Sequence, residues 1–156
     1  MLAHWIAVIL ATVLAILGLF HTLWAARIPF PAANEQNLVR MVVGRRGMTR
    51  MPSPGACLFV AVCLFASAAL ALMLGRVVPM PVSKWLVAFA GLGAAFLFAG
   101  RGIVGILPAF ERSAPEQPFL TLNRRIYSPL SFLIGVGFTL LTLTLPFWRW
   151  RLGLLD

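Results

Sequence analysis

The chain has 156 residues, of which 61% are hydrophobic and 11% charged. A soluble domain carries about 25% charged residues, so this composition excludes a surface built for water. The formal charge of +9 lies largely in segments between apolar runs, which argues for topology and contact with anionic lipid headgroups rather than for nucleic-acid binding.

Four continuous apolar runs cover about 5–26, 55–75, 85–107 and 127–148. Each matches the roughly 20 residues that a helix needs to cross a hydrocarbon core about 30 Å thick. The runs do not alternate in and out, which excludes a β-barrel. The expected fold is all-α: an integral membrane four-helix transmembrane bundle, with residues 1–156 forming a single transmembrane domain.

Helix 1 runs from near Met1 to Ala26 and reads as a retained helix. It lacks a basic leading region, and Leu23 or Trp24 would hold the −3 position of any cleavage site. Arg27, Pro29 and Pro31 end it. The loop 27–53 is the longest, and Asn34 to Val43 within it predicts a short interfacial helix with Leu38, Val39, Met41 and Val42 on its apolar side. Pro52-Ser53-Pro54 starts helix 2, which ends near Gly75-Arg76. Its cysteines, Cys57 and Cys63, have neither redox nor metal spacing and read as small buried hydrophobes.

A turn with Pro79 and Pro81 leads to helix 3, with Ser83 as its N-cap. Gly91, Ala95 and Ala99 form a row of small residues that lets another helix approach closely. The row serves packing within the bundle, a homo-oligomer or a membrane partner; the sequence does not choose. A loop of about 108–126 precedes helix 4, which is expected to start near Tyr127 and end at Pro146 to Arg151. Trp148, Arg149, Trp150 and Arg151 read as an interfacial anchor.

Four crossings place both termini on one side. The other side, called X, holds the loops 27–53 and 108–126 and the arginines 27, 40, 45, 46, 50, 112, 124 and 125. It also collects almost every polar residue near a span: His21 and Trp24, Arg101, and Asn123 to Ser128. A plain positive-inside count puts X in the cytoplasm.

His21 and Trp24 share a helix face at i, i+3. An intramembrane histidine is costly, and serves either as a proton carrier or headgroup ligand or as an interfacial residue bonded to a loop. Arg101 lies inside an apolar run and keeps its proton, so it needs a partner, for which Glu35 and Glu111 are the candidates, or an anionic ligand. Asn123 could cap helix 4 and pairs with Tyr127 at i, i+4. Gly100, Gly102 and Gly105 match a dinucleotide fingerprint only formally, because that motif follows a strand and opens a helix. No Asp or Glu lies within a run, which argues against proton-coupled export through a membrane carboxylate. His4 and His21, 17 residues or about 25 Å apart along a helix, cannot share one haem iron. No metal site or cofactor is expected.

His21-Thr22-Leu23-Trp24-Ala25, Pro54-Gly55, Arg101-Gly102-Ile103-Val104-Gly105 and Phe119…Asn123…Tyr127-Ser128-Pro129-Leu130 occur in this order. Together they resemble the bacterial membrane family catalogued as domain of unknown function 3995, over nearly the whole chain. The resemblance implies a small four-helix protein of the bacterial inner (cytoplasmic) membrane, and no established activity. It also implies basic N-termini and a basic turn between helices 2 and 3, which would put X outside, against the arginine count. Ser131 stands where the family pattern carries a cysteine, so a thiol role is not carried over.

Two readings follow. In the first, side X holds a lipid-binding or anionic small-molecule site, possible catalysis included. Arg101 and either Arg124 or Arg125 hold the anion, Asn123 and Tyr127 orient the ligand, and Trp24 walls the pocket. His21 relays a proton, with Glu35 or Glu111 as its carboxylate. In the second, the chain is a non-enzymatic accessory subunit or scaffold, and the polar end staples the loops.

Overall fold

The computed structural model describes residues 1–79 and 82–145. Pro81, the Pro146 end of the last helix and the expected anchor at Trp148 to Arg151 lie outside the described residues. Within them, four helices are long and apolar enough to cross a membrane: α1 (Leu2–Ala25), α3 (Pro54–Leu74), α4 (Lys84–Val104) and α6 (Phe119–Leu143). At about 1.5 Å per residue each reaches across the hydrocarbon core. Their outward faces are apolar too, with Phe96 83% and Phe59 70% exposed, a pattern that is stable against lipid and not against water.

The spans pack as two close antiparallel pairs, α1 with α3 and α4 with α6, joined by thinner contact. Small residues set the approach within each pair. A methyl group placed on Gly18 would lie 3.0 Å from the Phe65 ring, and one on Gly135 would lie 2.7 Å from the Ala99 Cβ. Between the pairs, Leu10 of α1 closes on Gly137 of α6, and Leu74 of α3 on Gly91 of α4. Phe138, Leu14, Leu74, Val87 and Leu141 form the centre of the core.

The row Gly91, Ala95, Ala99 packs within the bundle. Gly91 sits under Thr142 and Leu74, Ala95 is buried, and Ala99 meets Gly135. Cys57 is buried as expected, whereas Cys63 is exposed on the outward face of α3. Six residues on, it has turned through about 240° and left the core side.

Local chemistry sets the helix ends. The Ser53 hydroxyl accepts from Ala56 N at 3.2 Å and caps α3, with Pro54 in the first turn. Ser83 holds the N-cap position of α4 but makes no side-chain capping bond. Both α1 and α3 close with a residue in the left-handed region, Arg27 (φ 63°) and Arg76 (φ 58°). The amide after each turns back, Ile28 N to Leu23 O and Val77 N to Leu72 O, both at 2.9 Å, the Schellman arrangement in which glycine is usual. A short helix is present in the expected segment as α2 (Glu35–Val42), capped by Asn34, whose Oδ1 accepts from Asn37 N at 2.9 Å.

Two boundaries differ from expectation. The loop after α4 contains a short helix, α5 (Pro108–Ser113), with Pro108 in its first turn. The last span starts at Phe119, not near Tyr127, so Asn123 lies inside the helix instead of capping it. The polar run Asn123-Arg124-Arg125 looks like a helix start in sequence. It is helical because Phe119 and Asn123 are both buried on its inner side.

Candidate functional site

Pro129 sits ten residues into α6 and has no N–H for the carbonyl four residues back. The helix relaxes around it into one π-helical turn, Asn123–Tyr127, in which Ser128 N–H donates to Asn123 O. In a regular α-helix residues five apart point roughly 140° away from each other. The wider turn brings Asn123 and Ser128 onto one inward face, where the Ser128 hydroxyl donates to Asn123 Oδ1 at 3.1 Å.

Arg101, one turn from the end of α4, reaches this face. Its Nη2 donates to Asn123 Oδ1 at 3.0 Å, and its Nη1 lies 3.5 Å from the Ser128 hydroxyl. Asn123 Nδ2 donates in turn to Gly105 O at 2.6 Å, so the amide satisfies an arginine, a serine and the C-terminal carbonyl of α4 together. Phe110 of α5 covers the guanidinium, 5.0 Å from its ring centroid, a cation–π contact. Arg101 therefore pairs with neither Glu35 nor Glu111. An amide, a hydroxyl and an aromatic face supply what a counter-charge was expected to supply.

The glycines of Gly100-Arg101-Gly102-Ile103-Val104-Gly105 explain themselves here. A Cβ on Gly102 would lie 2.7 Å from Phe132 N and 2.8 Å from Ser128 O. A Cβ on Gly105 would overlap the Ser128 hydroxyl and Arg101 Nη1. Gly100 faces open space.

The two expected carboxylates are engaged elsewhere. Glu111 receives Arg124 on both oxygens, through Nε and Nη2, the bidentate fork that favours arginine. Glu35 Oε1 accepts from Arg27 Nη1 at 3.2 Å and from Met51 N at 2.9 Å, tying the two ends of the first loop. Neither bonds His21. Its Nδ1 lies 2.9 Å from Leu17 O. A carbonyl only accepts, so Nδ1 carries a proton and donates. The His21 ring rests 4.6 Å from that of Trp24. Trp24 Nε1 donates to Phe30 O at 2.8 Å, and its ring packs on Leu38, Val39, Met51 and Cys57, the core beneath α2. The pocket beside Trp24, lined also by Glu35 and Met51, encloses about 10 Å³, room for about one water.

Tyr127 leaves the π-helical turn toward α2 and donates to Met41 O at 3.2 Å. Glu116 N donates to Gly44 O at 3.0 Å. These two bonds stitch the first loop to the last span and the loop before it. Arg125 is exposed and makes no ion pair with a described residue. The arrangement thus joins Arg101 with Asn123, Arg124 with Glu111, and His21 with Trp24. Among the described residues no hydrogen bond connects these three groups. Phe110 and Gly105 carried no sequence signal for their roles, and the Asn123–Ser128 pairing is hidden by its spacing of five.

A model of one protein family, described as a protein of unknown function (DUF3995), matches residues 14–138. The chain belongs to this family. The DUF3995 match takes in α1 from Leu14, both loops of side X and α6 as far as Phe138. It therefore contains the whole of the Arg101–Asn123–Ser128 arrangement. No curated protein and no solved structure matches the chain.

Glu111 lies outside the spans and gives a pH test. The Arg124 guanidinium bonded to it holds its carboxyl below the ordinary carboxylate range. A depressed acid contributes stability above its unfolded pKa and loses it as pH falls through the folded one. The tie between α5 and α6 is therefore intact at neutral pH and loosens only at pH below the ordinary carboxylate range. Amide exchange in α5 should rise on acidification in the wild type, and Glu111→Gln should show the raised exchange already at pH 7.

Proposed function

We propose that this DUF3995 protein is a non-enzymatic accessory subunit or scaffold of a membrane complex, held rigid at side X by its own polar groups. The observation that carries this reading is the engagement of the residues that chemistry would need. Arg101 is bonded to Asn123 and Ser128 under Phe110, Tyr127 to the Met41 carbonyl, His21 to the Leu17 carbonyl, and Glu35 and Glu111 to arginines. A general acid–base pair needs two such groups within reach of one substrate atom, and here each is turned to a different partner. A partner subunit would meet the apolar outward faces, because the Gly91, Ala95, Ala99 row is occupied within the chain.

The test uses the full chain in its own membrane. Photo-crosslinking residues at Phe59, Phe89 and Phe96, all exposed on α3 and α4, should give one protein adduct of defined mass. In a strain lacking the protein, a His21→Ala/Tyr127→Phe variant should restore the wild-type membrane proteome and lipid profile. Adducts to lipid alone, or failure of a variant that inserts at the normal level, would overturn the scaffold reading in favour of a catalytic side X.

A further inference from the structure

Most of the exposed arginines of side X make no ion pair with a described residue, and two of them share a concavity. Arg46, from the loop after α2, and Arg112, from α5, line it together with Pro108, Glu111 and Pro115. It is open to solvent and holds about 490 Å³. Neither arginine makes an ion pair with a described residue, and both are exposed.

The position of each wall is fixed by bonds already described. Gly44 adopts φ 68°, close against the Phe119 ring, and its carbonyl accepts from Glu116 N at 3.0 Å. This holds the Arg46 loop against the segment that carries Arg112. The one carboxylate in the lining, Glu111, has both oxygens taken by Arg124. It therefore presents a neutralised pair and not a bare negative charge. Two prolines stiffen the rim.

The neighbouring turn is apolar. Ile103 in the last turn of α4, and Ile106 and Leu107 between α4 and Pro108, are 50%, 54% and 45% exposed. A cationic concavity at the end of a span, flanked by exposed aliphatic side chains, matches an amphipathic anion and not a free one. We propose that Arg46 and Arg112 bind the headgroup phosphate of an anionic phospholipid, with its acyl chains along Ile103, Ile106 and Leu107. The site is distinct from Arg101, whose guanidinium is turned inward to Asn123. It also stands independently of the scaffold reading.

The experiment uses the full chain in nanodiscs of equal phosphatidylglycerol and phosphatidylcholine, with retained lipid read by native mass spectrometry. Each arginine near a charged headgroup is worth about a fivefold preference, so Arg46→Gln/Arg112→Gln should lower the retained phosphatidylglycerol-to-phosphatidylcholine ratio roughly 25-fold. Arg40→Gln/Arg50→Gln removes the same charge from the same side of the membrane and should change the ratio by less than about twofold. Arg46→Lys/Arg112→Lys keeps the charge and should retain most of the preference. Should the double glutamine variant fail to insert, Arg112→Gln alone should show a loss of about fivefold. Equal losses in both double glutamine variants would reduce the effect to bulk charge and overturn the site. So would an unchanged ratio in Arg46→Gln/Arg112→Gln. Displacement of the lipid by millimolar glycerol 3-phosphate would assign the concavity to a soluble anion and overturn the lipid.

Discussion

Asn123→Leu is expected to destabilise the folded protein by about 1–3 kcal/mol, the cost of leaving the Gly105 carbonyl unsatisfied and the half-buried Arg101 guanidinium without its main acceptor. Asn123 is fully buried and serves three groups at once: Arg101, Ser128 and the Gly105 carbonyl. Leucine fills a similar volume but offers none of these bonds. The guanidinium is then held under Phe110 with only a 3.5 Å contact to Ser128. Removing both partners is gentler than removing one, because apolar replacement abolishes the unsatisfied charge together with its acceptor. Arg101→Met/Asn123→Leu should therefore recover at least half of the loss. Unfolding in mixed micelles by increasing denaturing detergent measures all three proteins. A double variant no more stable than Asn123→Leu would show that the amide matters for packing and not for the arginine.

The second large effect concerns the glycines of the α4–α6 interface. Gly135→Ala places a methyl group 2.5 Å from Ala99 N and 2.7 Å from its Cβ, and Gly102→Ala places one 2.7 Å from Phe132 N. These are largely backbone contacts that no rotamer change relieves, so the helices must separate. The expected cost is about 1–3 kcal/mol for each substitution. Gly93→Ala and Gly100→Ala add the same methyl group to α4 at positions where nothing lies within 4 Å. There the gain in helix propensity, up to about 1 kcal/mol, should appear unopposed. Unfolding midpoints of the four single variants in one micelle system decide the matter. Equal effects at Gly93 and Gly102 would mean that helix propensity, and not the closeness of α6, governs α4.

The hydropathy of the chain made the spans readable, because a run of about 20 apolar residues has few other uses. The α2 helix was readable from Asn34 and its apolar side. The partner of Arg101 was not. Charge logic looks for a carboxylate, and the nearest in sequence, Glu111, is engaged by Arg124. The true partner depends on a π-helical turn that changes which residues share a face. Sequence spacing read at 3.6 residues per turn pairs Asn123 with Tyr127. The structure pairs it with Ser128 and sends Tyr127 outward to Met41. The cause, Pro129 within the helix, is visible in the sequence. Its consequence was hidden because the same proline also fits the first turn of a helix starting at Tyr127.

The bonds from Tyr127 to Met41 and from Glu116 to Gly44 also set an order of events during synthesis. Tyr127 follows its acceptor by 86 residues. The pair α1 and α3 emerges first, along with α2 and the residues beneath it, Trp24, Met51 and Cys57. It can assemble while the rest of the chain is still being made. The stitches across side X exist only after α4 has crossed and α6 has entered. A chain whose last span is missing or inverted leaves the Met41 and Gly44 carbonyls open, so closure of side X marks a completed insertion.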